Sequence, residues 1–280
     1  MEVIKYTCPK EFFDLVEEYL LADEVINNLP LGILYNLVKN QQNLKGQPFL
    51  AAVTDNGQLE LVMIKTGNNN LVVHGEGAKL KEAIICAMDY IVDNKVPIPG
   101  VIGLREVADN FAKLWSEKDL SPVKIDMEQL IYKLDRVNPI KYSEGNIRLA
   151  MDDDIELLTQ WIYEFMKEAL GADNKAHAQN FVEISIKDSS LYIWEDQGPV
   201  SLAKKTRPTK NGIVINSVYT PKDKRGKGYA SSCVASLSQL LLDEGYQFCS
   251  LYTDLSNPTS NKIYTEIGYV PIAESVVYKF

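Results

Sequence analysis

Residues 213–230 read Ile213-Val214-Ile215-Asn216-Ser217-Val218-Tyr219-Thr220-Pro221-Lys222-Asp223-Lys224-Arg225-Gly226-Lys227-Gly228-Tyr229-Ala230. The β-branched run predicts a strand, the glycines a tight loop, and Val234, Leu237 and Leu241 at helical intervals a helix that opens from that loop. A corner of this kind suits an anion. Glycines let backbone N–H groups turn inward without a Cβ in the way, and the helix N-terminus adds partial positive charge. Lys222, Lys224, Arg225 and Lys227 add cationic potential. Taken singly, a Gly-x-Gly is an ordinary strand-to-helix turn and a basic run is a solvated loop. Here both occupy one corner of a chain whose formal net charge is -9.

The loop discriminates among phosphate ligands. A nucleoside-triphosphate loop needs Gly-Lys followed by Ser or Thr to reach magnesium, whereas this chain reads Gly226-Lys227-Gly228-Tyr229. A dinucleotide fingerprint needs a third glycine and an acidic residue about 20 positions on; Ser231 stands at the third glycine position, and Asp243 and Glu244 lie nearer, at a helix end.

Working outward, Phe248 to Tyr252 predicts a strand and Pro258 to Ile267 a helix with Asn257 as its cap. Upstream, a helix is expected over Asp154–Leu170. A strand follows over Ser190–Trp194, with a turn at Asp196-Gln197-Gly198. The first half carries a similar series: helices over Glu11–Leu21 and Leu31–Val38, and strands over Phe49–Val53 and Leu59–Ile64 around the turn Asp55-Asn56-Gly57. It continues with a strand at Leu71–Val73, a helix over Leu80–Val92, a strand at Val101–Leu104 and a helix over Val107–Glu117. Ile147-Arg148-Leu149 echoes Ile4-Lys5-Tyr6, and the Pro- and Gly-containing segment Asp135–Gly145 has the composition of a junction. The expectation is a duplicated α+β fold, mixed α/β in composition. It comprises two domains, 1–138 and 139–280, each a central, mostly antiparallel mixed sheet flanked by helices.

Arg225-Gly226-Lys227-Gly228-Tyr229-Ala230 resembles the R/Q-x-x-G-x-G/A pyrophosphate loop of the GNAT superfamily, the GCN5-related N-acetyltransferases. Asn257-Pro258-Thr259-Ser260-Asn261-Lys262-Ile263-Tyr264-Thr265-Glu266-Ile267-Gly268-Tyr269 is similar to that family's N-x-x-A/S-x-x-x-Y-x-x-x-G-F/Y segment. The resemblance spans roughly residues 147–280 and implies acetyl-CoA as acyl-donor cosubstrate. It implies that the loop from Arg225 to Ser231 (Arg225, Gly226, Lys227, Gly228, Tyr229, Ala230, Ser231) holds the pyrophosphate. Val218, Tyr219 and Thr220 then end the strand that pairs with the pantetheine arm, and Asn257, near the thioester, hydrogen-bonds the pantetheine arm or phosphate, with Asn261 as a second candidate. Tyr264 becomes the proton donor for the departing thiolate, in direct attack by a primary amine. Without the resemblance, Tyr264 reads as a core tyrosine beside Ile263 and Ile267, and Asn257 as a helix cap.

The base that takes the amine proton is not readable. Asn216 stands on the strand where many relatives carry Glu and cannot take a proton; Glu195, Asp196, the Phe280 carboxylate and a water relay remain open. Cys249 has no neighbouring His in sequence to activate it as an acyl carrier, and Cys233 reads as a helix core residue. In the first half, Gly75-Glu76-Gly77-Ala78-Lys79-Leu80 keeps glycines but carries Glu76, and Trp115 stands where Tyr264 stands. A degenerate copy without CoA is expected there.

Composition sets the remaining bounds. With 280 residues, 46% apolar and 24% charged, disorder and a disulfide scaffold are excluded. The acidic balance disfavours nucleic acid and anionic membrane as partners. No apolar run approaches the ~18 residues of a spanning helix, and no basic, then apolar leader opens the sequence, so a cytoplasmic location is expected. Cys8, Cys86, Cys233 and Cys249 lack Cys-x-x-Cys spacing, and His74 and His177 are too few for a His-rich site, so no metal is expected. The acceptor is expected to be a small-molecule or peptide amine, mildly favoured as cationic by the charge balance, and the oligomeric state is unreadable. Two alternatives stand beside an N-acetyltransferase: an idle CoA-binding regulatory module, and an aminoacyl-transferring enzyme of the same fold.

Overall fold

A computed structural model describes residues 1–44, 46–118 and 120–280. The first series of elements is β1 (Glu2–Tyr6), α1 (Pro9–Leu21), α2 (Asn28–Lys39), β2 (Phe49–Asp55), β3 (Gln58–Lys65), β4 (Leu71–His74), α3 (Leu80–Asp93), β5 (Gly100–Leu104), α4 (Arg105–Glu117) and β6 (Lys124–Leu134). The second is β7 (Asn146–Leu149), α5 (Ile155–Leu170), α6 (Lys175–Lys187), β8 (Leu191–Glu195), β9 (Pro199–Thr206), β10 (Gly212–Tyr219), α7 (Tyr229–Asp243), β11 (Phe248–Asp254), α8 (Pro258–Ile267) and β12 (Val270–Lys279). The two series repeat the same order of strands and helices, and the α+β duplication expected from the sequence is present. By packing, the chain forms one unit of Met1–Ile131, Thr253–Ser256 and Pro271–Phe280, and a second of Tyr132–Tyr252 and Asn257–Val270.

In the first unit β1, β2, β3 and β4 pair antiparallel in that order, and β4 meets β5 in parallel. Helices cover both faces, which is why β2 is apolar without interruption. Ala51 and Val53 pack with Ile84, Met88 and Phe111 of α3 and α4, while Leu50 and Ala52 pack with Phe12, Leu31 and Leu34 of α1 and α2. Asn56 (φ 50°) and Gly57 (φ 80°) form the two-residue hairpin turn that the sequence announces between β2 and β3. The last stretch of chain completes this unit: Ser275 to Lys279 pair antiparallel with Leu104 to Gly100. Gly100 accepts the close approach, since a Cβ there would meet the Tyr278 carbonyl oxygen at 2.0 Å. The Phe280 ring stacks on Trp115 at 4.6 Å and on Phe111 at 6.2 Å.

In the second unit β7, β8, β9 and β10 pair antiparallel, and β10 meets β11 in parallel. Leu158 and Ile162 of α5 and Val182 of α6 pack on one sheet face against Leu191, Ile193, Leu202 and Tyr219. Helix α7 lies against β8, β9 and β10. Helix α6 and strand β6 are absent from the sequence reading. The buried stripe of α6 is Ala178, Val182 and Ser185, too small and too polar to stand out as an amphipathic face. In β6 the charges Lys124, Asp126, Glu128 and Lys133 mask the alternation. Among the described residues no helix is long and apolar enough to cross a membrane, and no group of three or more His, Cys, Asp or Glu could hold a metal ion.

Candidate active site

The site begins where β10 leaves its neighbours. Toward β9, Asn216 pairs with Lys204 and Tyr219 with Leu202, so three steps on β10 oppose two on β9 and the strand bulges. Ser217 sits in the bulge with φ 49°, a left-handed conformation for a non-glycine residue. Toward β11, pairing covers Gly212–Phe248, Ile213–Cys249 and Val214–Ser250, and no register is formed beyond Val214. The two strands part there, leaving the backbone edge around Val218 open to another extended group. Ser201 donates to the Tyr219 carbonyl at 3.1 Å and its hydroxyl lies 2.9 Å from the Thr220 hydroxyl, which fixes the end of the strand.

Beyond Thr220 the chain turns through Gly226 (φ 78°) and Gly228 (φ 80°) into α7. Gly228 is the helix cap and offers no side-chain acceptor. The first bond of the helix runs from Ser232 N to Gly228 O at 3.0 Å, so the Tyr229, Ala230 and Ser231 N–H groups have no intrahelical acceptor. Lys227 and Lys224 form no ion pair among the described residues. The corner therefore presents aligned donors and positive charge together, which fits a pyrophosphate.

Arg225 is less free than the sequence suggests. Its Nε donates to the Thr220 carbonyl at 2.9 Å and its Nη2 to Glu168 of α5 at 2.8 Å, while its guanidinium lies over the Tyr219 ring. Lys222 reaches the same carboxylate at 3.3 Å. Arg225 and Lys222 hold the Glu168 carboxyl below the usual range. The Tyr219 hydroxyl donates to Glu164 at 2.7 Å and its side chain packs into the α5 and α6 core, so Tyr219 can serve the site through its backbone. The Tyr229 hydroxyl donates to Asp196 at 2.6 Å, tying the loop to the β8–β9 turn. Glu164, Glu168 and the Asp196 contact are not marked by any spacing in the sequence, because they come from a helix and a hairpin far from the loop.

Helix α8 packs on α7. Asn257 caps it, its Oδ1 accepting from Ser260 N at 3.1 Å, and the Asn261 N–H follows onto the Asn257 carbonyl at 3.2 Å. Tyr264 is 8% exposed, with its ring 5.9 Å from Tyr269 and 6.4 Å from Tyr132. These two neighbouring phenols differ. The Tyr269 hydroxyl lies 2.8 Å from Ser238 Oγ, whereas the Tyr264 hydroxyl has no hydrogen-bond partner among the described residues. Burial and the nearby Cys233 both raise the Tyr264 pKa, so the phenol keeps its proton through neutral pH.

The other readings of the sequence find these places. Glu195 accepts from Arg148 at 3.1 Å and Asp196 from Tyr229, so both carboxylates are engaged. Phe280 lies in the first unit. Burial pushes the Cys249 thiol up to about 12, which leaves no thiolate to carry an acyl group at neutral pH. In the first unit, Lys79 is neutralised by Asp55 at 2.7 Å and Glu60 at 3.7 Å. Strands β4 and β5 pair over Leu71–Val101 and Val72–Ile102 and remain close one residue further on, where a Cβ on Gly103 would meet the Val73 carbonyl oxygen at 2.7 Å.

Residues 197–277 match the FR47-like protein family model. The chain is 24% identical over 131 residues, 46% of its length, to an uncharacterized N-acetyltransferase, YycN, of Bacillus subtilis (strain 168), covering 78% of that protein. An acetyltransferase from the GNAT family of Colwellia psychrerythraea has the same fold with TM-score 0.62 at 12% identity, over 100% of both chains. A tandem GNAT protein from the clavulanic acid biosynthesis pathway superposes with TM-score 0.54 at 11% identity, over 99% of this chain and 97% of that one.

Proposed function

Because the chain belongs to the GNAT superfamily of N-acetyltransferases, with the fold present in tandem, we propose that residues 139–280 bind acetyl-CoA and transfer its acetyl group to a primary amine. The observation that carries this reading is the bulged strand β10, which parts from β11 after Val214 and runs through two left-handed glycines to the uncapped start of α7. Acetyl-CoA supplies a thioester carbonyl for attack by a neutral amine. The N–H groups from Gly226 to Ser231 hold the pyrophosphate, and the open edge at Val218 to Thr220 orients the extended arm. Asn257 holds the start of α8, and Asn261 lies one turn further along it. Tyr264 keeps a proton at its hydroxyl for the sulfur as the C–S bond breaks, and the amine proton leaves to water.

Residues 1–138 act as a degenerate copy. With Lys79 paired to Asp55 and Glu60 and β5 held close to β4 at Gly103, calorimetric titration of CoA is expected to give one site per chain. Two equal sites would overturn the assignment of the first half. Thiol release in the presence of an amine panel then separates an enzyme from an idle CoA-binding module, which would bind CoA and release none.

Glu168 competes with the ligand for Arg225 and Lys222. Glu168→Gln is expected to tighten CoA binding about threefold at low salt and less at high salt, as for half-exposed ion pairs. Titrations at two ionic strengths check this; weaker binding would show that the carboxylate positions Arg225 rather than opposing the anion.

A further inference from the structure

Arg207 follows directly on β9 with φ 44°, a left-handed backbone conformation. Its guanidinium lies 5.4 Å from the Tyr252 ring centroid. Tyr252 is on β11 and β10 lies between β9 and β11, so the Arg207 side chain must cross β10. Pairing identifies the face it crosses. Val214 sits opposite Ser250, and by the two-residue alternation of strands Asn216 and Tyr252 continue on that same face where the strands part.

Polar groups on this face lack partners. Arg207 Nε, Asn216 Oδ1 and Ser250 Oγ are each buried without a hydrogen bond. Arg207 makes no ion pair and donates no hydrogen bond among the described residues, unlike Arg105, Arg148 and Arg225, each of which meets carboxylates. Burial lowers its pKa from the ordinary guanidinium value without removing the charge. Arg207 is half-buried and its Nε is buried without a partner, so the guanidinium is partly desolvated with no counter-charge, and its fork geometry matches a carboxylate. The cluster supplies a cation from Arg207, an acceptor from Asn216 and a hydroxyl from Ser250, beside the gap assigned to the acyl donor.

We infer that the acceptor carries a carboxylate close to its amine, as a free amino acid or the free C-terminal end of a short peptide does, and that Arg207 binds that carboxylate while Asn216 Oδ1 accepts from the amine. This rests on the acetyltransferase reading of the second half. In the transfer, the amine nitrogen bonds to the acetyl carbon as the C–S bond breaks. The sulfur takes a proton and the amine loses one; the acceptor carboxylate is unchanged. Arg207 is a specificity-determining group that never touches the reacting atoms.

The test uses the full chain with acetyl-CoA and three acceptor pools: the free amino acids with short free-acid peptides, the same compounds as C-terminal amides, and simple amines and polyamines. Thiol release is expected from the acid pool, with kcat/KM falling about tenfold to a hundredfold from an acid to its own amide, as for a lost charged hydrogen bond. In Arg207→Gln the acid-to-amide ratio should fall to near one, with Arg207→Lys between. Equal rates for acid and amide, or release by the simple amines alone, overturn the inference and leave the acetyltransferase reading intact. CoA binding with no release from any acid overturns it as well. A parallel CoA titration identifies the other failure: no CoA binding by the folded wild-type chain removes the acetyltransferase reading itself. Because the acid–amide comparison is made on the wild-type protein, it decides the question even if the variants misfold.

Discussion

Gly228→Val is expected to give a folded chain that binds CoA at least a hundredfold more weakly. Gly228 has φ 80°, and an added Cβ would meet nothing within 4 Å, so the substitution clashes with no neighbour in the free protein. The cost to folding is backbone strain, about 1–2 kcal/mol for an L-residue in the left-handed region, larger for a β-branched one. In a chain of this size that lowers the melting temperature by a few degrees. Binding is affected more, because valine relieves the strain by turning its peptide out of the left-handed region. The N–H groups on either side of position 228 then turn away from the pyrophosphate. A hydrogen bond to a charged group contributes about 1.5–3 kcal/mol, so losing two reaches the hundredfold range. Calorimetry for CoA, alongside a thermal melt, measures both effects. Wild-type affinity in the valine variant would remove the loop from the binding site.

The sequence carries different parts of this site with unequal clarity. Backbone-level features are legible because glycine and proline impose them locally. Gly226 and Gly228 take positive φ, Asn257 caps the helix that Pro258 starts, and the Asn56-Gly57 turn joins β2 to β3. The bulge at Ser217 leaves no such mark. A serine there signals nothing, and the left-handed φ arises from the mismatch between β10 and β9. Charges mislead in a similar way. Lys222 and Arg225 read as free cations in the loop, yet Glu168 approaches them from α5, more than fifty residues upstream in sequence. Arg207 is the reverse case: nothing in the sequence marks it, and its place across the strands makes it a half-buried charge whose Nε has no partner. Burial likewise does not tell Tyr264 from Tyr269, both buried aromatic residues; the hydroxyl partners separate them.

That separation sets the expectation for Tyr264→Phe: kcat falls about a hundredfold or more, within the range for loss of a general acid, while CoA affinity stays within about twofold. A purely structural tyrosine would show the opposite pattern. Removing a hydroxyl that holds a buried hydrogen bond costs about 1 kcal/mol of stability, which is the expectation for Tyr269→Phe because its hydroxyl meets Ser238 at 2.8 Å. Turnover in that variant should be retained. At Tyr264 the hydroxyl has no partner to lose, so Tyr264→Phe should be neutral or slightly stabilising while turnover collapses. The pH profile adds a further constraint. The protonated phenol is the active form, and an unshifted one would be half ionised at about pH 10, cutting the rate there. Burial raises the Tyr264 value above that, so the wild-type rate should hold up to about pH 10 with no basic limb from this group. Stopped-assay kcat values across that range, with thermal melts of both variants, measure every part of the expectation. Unchanged turnover in Tyr264→Phe would leave the proton to water and return this tyrosine to the core.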